Sequence, residues 1–316
     1  MADCRTRLER LGYQTNGDKP EEFGKNTQEA IRLFQASRNL EVDGICGPNT
    51  WASLIEASWK LGDRLLYRRQ PMLRGDDVAE LQKQFNMLGF DTCRIDGIFG
   101  DATLSALTEF QRNVGIRSDG VVGPRTIDEL KRMIPRHESN RLVSEIKEVE
   151  RWKDHTGRRN LRIMLCDSGG AGICISSISK LLLYNGVQIS MSHSFNQQRQ
   201  AHEANAFDAD LCIVIGLEDL DKPSSPLITL SYYSGYNYVS LPAKSLVEEI
   251  ERGFERVFGP GKSHAEGLSL PVLRETKMPT LVCTFTSPSF LLQNLAEITE
   301  ILDNSVLSWS TSTIKH

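Results

Sequence analysis

Three sets of residues in this sequence have types and spacings that could do chemistry. The first is the loop Asp167-Ser168-Gly169-Gly170-Ala171-Gly172, set between an apolar run and a second one. A glycine loop joining a strand to a helix can turn backbone N–H groups toward an anion, and Ser168 stands where a nucleophile could stand. The loop has no GxSxG elbow, no histidine placed by motif and no Walker lysine, so serine hydrolysis and nucleotide binding each lack part of their machinery. The second set is Cys166, Cys212 and Cys283, each inside a run that reads as a strand. Thiolates from neighbouring strands could hold a metal or a redox centre, whereas a cysteine simply buried in a strand acts as a small hydrophobe. The third set is three turns of related composition, Asp43-Gly44 with Gly47, Asp96-Gly97 with Gly100, and Asp119-Gly120 with Gly123. Glu203 and Glu218 lie near the ends of expected elements. His137, His155, His193, His202, His264 and His316 follow no ligand spacing, and none lies beside the cysteine-bearing strand ends.

The turns belong to a tandem duplication. Phe34-Gln35, Asp43-Gly44, Gly47-Pro48, Thr50 and Leu54 recur 76 residues later, and Leu11-Gly12-Tyr13 recurs 77 residues later as Leu88-Gly89-Phe90. In the second copy Val78, Leu81, Phe85 and Leu88 form one helical stripe, ended by Gly89. The glycines of Asp96-Gly97-Ile98-Phe99-Gly100-Asp101 can take φ > 0, and Asp101 is expected to cap the next helix, whose inner face carries Leu107, Phe110 and Val114. Pro124 opens a third helix. The first copy has Asn16 to Glu22 in place of the first Asp-Gly turn. Turn and capping chemistry accounts for these residue types with or without a ligand.

Beyond Pro135 the pattern changes to a charged helical segment, Arg141 to Lys153, and a polar stretch to Asn160. From Leu161 the sequence alternates. Strands are expected at 161–165, 187–191, 211–215, 228–233 and 281–285, with helices at 175–183, 199–207, 243–258 and from Ser289. This order predicts an α/β sheet with helices on its faces. The expected boundaries are 1–60 and 72–134 for the repeats, 135–160 for a helical linker and 161–312 for the α/β domain.

The chain has 316 residues, 40% hydrophobic and 25% charged, with a net charge of −4, as in an ordinary multidomain globular protein. That balance argues against nucleic acid as a partner, and Arg68-Arg69 and Arg158-Arg159 read as solvated basic spots. Seven cysteines without a CxxC pair argue for reduced thiols rather than a disulfide framework or zinc ribbon. Met1 to Arg7 holds no apolar run, and no later stretch approaches the ~20 apolar residues of a membrane span. The expectation is a cytoplasmic chain without a transmembrane segment.

Two resemblances give these patterns a family. The repeats, with a helix ending LG, a DGxxGxxT turn, an FQ helix and a DGxxGPxT turn, resemble the type 1 peptidoglycan-binding repeat. That resemblance implies ligand contacts at Asp43, Gly44, Gly47, Asp96, Gly97, Gly100, Asp119, Gly120 and Gly123. The α/β region resembles the zinc N-acetylmuramoyl-L-alanine amidases (amidase type 3). It does so through Val272-Leu273-Arg274-Glu275-Thr276-Lys277-Met278-Pro279, the loop after Asp167, Gly186-Val187-Gln188-Ile189, and Ala204-Asn205 with Ala209-Asp210-Leu211. In that family His, Glu and His hold zinc, which lowers the pKa of a bound water, and a further Glu moves protons. Aligned on the flanking residues, the two His positions fall at Gly170 and Gly216, and the proton-transfer Glu falls at Thr284. The connection after Gly172 is too short for the loop carrying the ligand Glu. The resemblance therefore implies a multidomain protein whose amidase-like α/β domain, a central sheet flanked by helices, holds no catalytic residues, metal or cofactor. The alternative is a true amidase of the MurNAc-L-Ala bond with zinc held by other groups. The whole order, with the join at Glu56 to Tyr67 and Gly75 to Gln82, is similar to the actinobacterial CwlM-type proteins. This implies a cytoplasmic regulator that binds a muropeptide-like ligand and proteins of peptidoglycan precursor synthesis.

Overall fold

The computed structural model describes residues 2–19, 22–133, 144, 146–150, 161–218 and 226–311. It divides into two compact units, Met1–Lys147 with Gly235–Tyr238, and Glu148–Ser234 with Val239–His316.

In the first unit the helical stripes build two small cores. α1 (Ala2–Arg10), α2 (Lys25–Ser37) and α3 (Pro48–Glu56) enclose Leu8, Ile31, Phe34 and Leu54, all buried. Ile31 and Phe34 come from one face of α2 because residues three apart share a face. α4 (Asp76–Met87), α5 (Asp101–Asn113) and α6 (Pro124–Met133) enclose Val78, Leu81, Phe85, Leu107, Phe110 and Leu130. The rings of Phe85 and Phe110 are 5.4 Å apart. Gly89 takes φ +92° just past α4, the left-handed conformation that glycine adopts without strain.

The chain between the repeats adds a ribbon that the pattern did not predict. β1 (Leu66–Tyr67) pairs antiparallel with β2 (Val121–Val122), and two-residue strands are too short to show an alternation. Arg64 anchors this segment. Its guanidinium meets both carboxylate oxygens of buried Asp77 at 2.7 and 3.1 Å and lies 4.5 Å from the Trp59 ring centre. Asp101 is not a side-chain cap: Gly100 is the N-cap, and the exposed Asp101 carboxylate accepts from Arg68 at 2.7 Å. Arg68 is thus ion-paired rather than freely solvated.

From residue 161 onward β3 (Arg162–Asp167), β4 (Gln188–Ser192), β5 (Leu211–Leu217), β6 (Ile228–Gly235), β7 (Tyr238–Val239), β8 (Ser263–Leu268) and β9 (Thr280–Phe285) form one sheet. The order is β4-β3-β5-β9-β6-β7, with β8 beside β6. β4, β3, β5 and β9 are mutually parallel and β6 runs antiparallel to β9. The helices are α7 (Gly172–Tyr184), α8 (Gln197–Phe207), α9 (Leu241–Phe258), α10 (Pro271–Glu275), α11 (Pro288–Gln293) and α12 (Leu295–Thr311). Strand alternation sends Ile163, Leu165, Ile213, Ile215, Leu281 and Cys283 into one core with α7, α9 and α12. The opposite face carries Met164, Cys166, Cys212, Val214 and Val282, with α8 and α10 packed together beside β3 and β9.

β7 and β8 were not expected. Ser263-His264-Ala265-Glu266-Gly267-Leu268 is polar and carries a central glycine, so it lacks the composition of a strand. The helix expected from Ser289 is two helices, α11 and α12, parted at Asn294. Of the expected linker 135–160, only Ser144 and residues 146–150 are described, all helical.

Candidate functional site

Because β3, β5 and β9 are parallel neighbours, their C-terminal ends meet along one edge, where an open α/β sheet forms its crevice. Gly216 of β5 pairs with Thr284 of β9, and Thr284 pairs with Thr229 of β6. The loop after β3 closes over this row: Ser168 N–H donates to Ile215 O at 2.9 Å, and Leu217 N–H donates to Gly169 O at 3.2 Å. Gly170, Gly216 and Thr284 are thus brought together.

Neighbouring side chains fill the space that side chains at the two glycines would need. A Cβ on Gly170 would lie 2.8 Å from Leu217 Cδ1, and φ is +76° there, a conformation that strains any residue with a Cβ. A Cβ on Gly216 would lie 3.0 Å from Ser168 Cβ. Thr284 offers a hydroxyl. Zinc requires imidazole, thiolate or carboxylate donors at about 2.0–2.3 Å, and among the described residues no group of three or more His, Cys, Asp or Glu could hold a metal. The edge does not fit zinc.

The other candidates are dispersed. Cys166 and Cys212 face each other at 3.9 Å, but Cys283 lies on the opposite face among the apolar core. Contact with Cys166, then burial, pushes the Cys212 thiol well up. Burial does the same to Cys283 and raises Cys174 to about 12. The glycine loop is also occupied, since Asp167 Oδ1 accepts from Gly169 N–H at 2.8 Å and Ala171 N–H at 3.2 Å. Those are the amides an anion would use. Hydrogen bonds from Ser192 and Arg199 hold the Glu203 carboxyl below the usual range; it is an ionised partner of Arg199 at 2.9 Å. Glu218, His193, His202 and His264 are exposed. His264 pairs with Thr229, in the same cross-strand row as Thr284 but two strands away, roughly 10 Å at the usual strand spacing. His137, His155 and His316 lie outside the described residues, as does Arg158-Arg159.

Each Asp-Gly turn is tied by a buried glutamine that the sequence pattern did not single out as its partner. Gln111 Nε2 donates to Asp119 Oδ1, Val121 O and Thr126 Oγ1 at 3.0, 3.0 and 3.3 Å, and Gly120 N–H donates back to its Oε1 at 3.0 Å. Gln35 makes the same set with Asp43, Ile45, Thr50 and Gly44. Gln82 makes it with Asp96, Ile98, Thr103 and Gly97. The repeat-1 counterpart of Gln82 is Arg5, which donates to the carbonyls of Lys19 and Thr15 at 2.7 and 3.2 Å and so holds the replacement loop. One oxygen of each Asp is therefore committed to shaping its own turn. Gly44, Gly97 and Gly120 all have positive φ.

The model of the putative peptidoglycan binding domain matches residues 2–54 and 74–130. The chain is 30% identical over 286 residues to "N-acetylmuramoyl-L-alanine amidase CwlM" of Mycobacterium tuberculosis, covering 82% of this chain and 70% of that one. It is 29% identical over 119 residues to a "Probable N-acetylmuramoyl-L-alanine amidase" of Bacillus licheniformis, covering 33% of this chain and 34% of that one. A solved structure, N-acetylmuramoyl-L-alanine amidase AmiC2 of Nostoc punctiforme, superposes with a TM-score of 0.40 and 15% identity over 48% of this chain and 97% of that one. With two peptidoglycan-binding repeats ahead of an amidase-like sheet, and this identity over most of both chains, the protein belongs to the CwlM family.

Proposed function

We propose that this protein is a pseudo-amidase. Its repeats bind peptidoglycan or a muropeptide-like ligand, and its α/β unit serves as a binding scaffold rather than a hydrolase. The observation that carries the proposal is the edge formed by Gly170, Gly216 and Thr284, where the resemblance places two zinc ligands and a general base. A glycine offers no ligand and a threonine hydroxyl is a poor proton carrier near neutral pH. Leu217 and Ser168 occupy the adjoining space. In the cell the protein acts in the cytoplasm as a regulator of peptidoglycan precursor synthesis, through contacts with proteins of that pathway. No helix among the described residues is long and apolar enough to cross a membrane.

The test is zinc stoichiometry on protein purified without added metal or chelator, together with release of peptide from muramyl peptides. The expected result is far less than one zinc per chain and no zinc-dependent release. The rival reading, an active amidase, draws on the names of the relatives; it would show about one zinc per chain and hydrolysis that a chelator abolishes. Loss of that zinc in a Cys166→Ala, Cys212→Ala, Cys283→Ala variant would assign it to the thiols.

A further inference from the structure

Cys4 lies in α1, and Cys46 lies in the turn between α2 and α3 that also carries Asp43, Gly44 and Gly47. Their Sγ atoms are 3.5 Å apart across 42 residues of chain. Cys4 is buried and Cys46 is partly open to solvent. The duplication shows what stands at these positions in the second repeat: Cys4 aligns with Leu81 and Cys46 with Val122, both fully buried in one core. Packing at this point therefore needs only two apolar side chains, and the first repeat supplies two thiols.

The other close pair among the described cysteines, Cys166 and Cys212, is wholly buried and out of reach of a dissolved oxidant. Cys93 is exposed. The Cys4 and Cys46 pair combines a facing thiol with solvent access.

We propose that Cys4 and Cys46 form a dithiol site that a small disulfide oxidant, such as oxidised glutathione, converts into an intramolecular disulfide that closes the first repeat. The Cys46 thiolate attacks one sulfur of the reagent, forming a mixed disulfide and releasing one reagent thiolate. The Cys4 thiolate then attacks Cys46 Sγ, forming the Cys4–Cys46 bond and releasing the second. The two protons lost by Cys46 and Cys4 end on the two released reagent thiolates, and two electrons reduce the reagent disulfide to two thiols. In the dithiol, burial and the neighbouring Cys46 thiol push the Cys4 thiol up to about 12, and because thiolates are the attacking species closure speeds up as pH rises. The bond ties α1 to the turn that carries the first repeat's candidate ligand contacts, and it restricts the unfolded chain over that loop.

The test uses the full chain with Cys93→Ser as background, incubated with oxidised glutathione or with dithiothreitol, then read by peptide mapping and thermal unfolding. The expected product links the Cys4 and Cys46 peptides with loss of two hydrogens and raises the unfolding midpoint of the first unit by on the order of 10 °C. A Cys4→Leu, Cys46→Val variant, bearing the residues of the second repeat, should fold and show no difference between the two treatments. Stable glutathione on Cys46 with Cys4 still free would overturn the proposal, as would two unreacted thiols. A linked pair with an unchanged midpoint would overturn the closure.

Discussion

A turn that recurs three times in one chain with the same inward hydrogen bonds is set by its buried glutamine as much as by its Asp and Gly. Gln111 is 1% exposed and satisfies partners on both sides of the Asp119-Gly120 corner. Replacing it by alanine leaves the Gly120 N–H without its side-chain acceptor and Val121 O and Thr126 Oγ1 without this donor. Stranded buried polar groups cost about 1–3 kcal/mol, so Gln111→Ala should destabilise the second repeat by that order in urea unfolding. A cost below about 0.5 kcal/mol, the usual range of a surface substitution, would mean that the turn is held by its backbone alone. The recurring Phe-Gln and Asp-Gly pairs are plain in the sequence; the bond between them is not. Gln35 and Gln111 precede their Asp by 8 residues but Gln82 precedes Asp96 by 14, so spacing alone does not reveal a common role. The thiol pair was equally hidden, because Cys4 and Cys46 are neighbours only once the helices have packed.

At the scale of elements, the segment most suggestive of amidase chemistry has a structural role here. Val272 to Glu275 falls in α10, and the Asn205 side chain of α8 donates to Glu275 O and accepts from Lys277 N–H, both at 2.8 Å. Thr276 Oγ1 donates to Val272 O at 2.9 Å and accepts from Thr280 Oγ1 at 2.7 Å, leading the chain into β9. Two stretches that resemble the amidases at a distance in sequence thus hold each other, which a catalytic role does not require. β3, β5 and β9 were legible because each is a near-continuous apolar run, whereas polar β8 was not. A second tie joins α7 to α12: Asn185 Nδ2 reaches both carboxylate oxygens of Asp303 at 3.2 and 3.0 Å. Burial raises the Asp303 carboxyl above the usual range, the Asn185 hydrogen bond opposing it only in part. The folded state then holds this proton more tightly than the unfolded chain, so stability falls as pH rises from the ordinary Asp range through the raised one and levels off above it. Asp303→Asn keeps an acceptor for Asn185 and carries no charge. Its stability relative to the parent should therefore improve between pH 4 and pH 7, measured as the difference in unfolding midpoint, and a constant difference would show that Asp303 is solvated in the folded state.

For the whole molecule, the question is whether the repeats and the sheet are one folding problem or two. The 76-residue recurrence and the change at Leu161 to alternating strands and helices already divide the sequence. The stretch between is the charged segment expected as a helical linker. The cores follow the same division. Leu107 is fully buried in the core built on the second repeat, and Leu246 in the core of the α/β unit. Truncating a buried leucine costs about 2–5 kcal/mol through lost transfer energy and the cavity left behind. For units of this size each kcal/mol moves the midpoint by about 2–4 °C, so each truncation should shift its own unit by on the order of 10 °C. Scanning calorimetry should then show two transitions, with Leu107→Ala lowering one and Leu246→Ala lowering the other. A single transition lowered by both would mean that the cores unfold together and that neither unit can be assayed alone. Two independent transitions would allow a chain lacking Met1 to Met133 to keep its α/β fold. Activity of that shortened chain in the cell would assign regulation to the sheet, and loss of activity would assign it to the repeats.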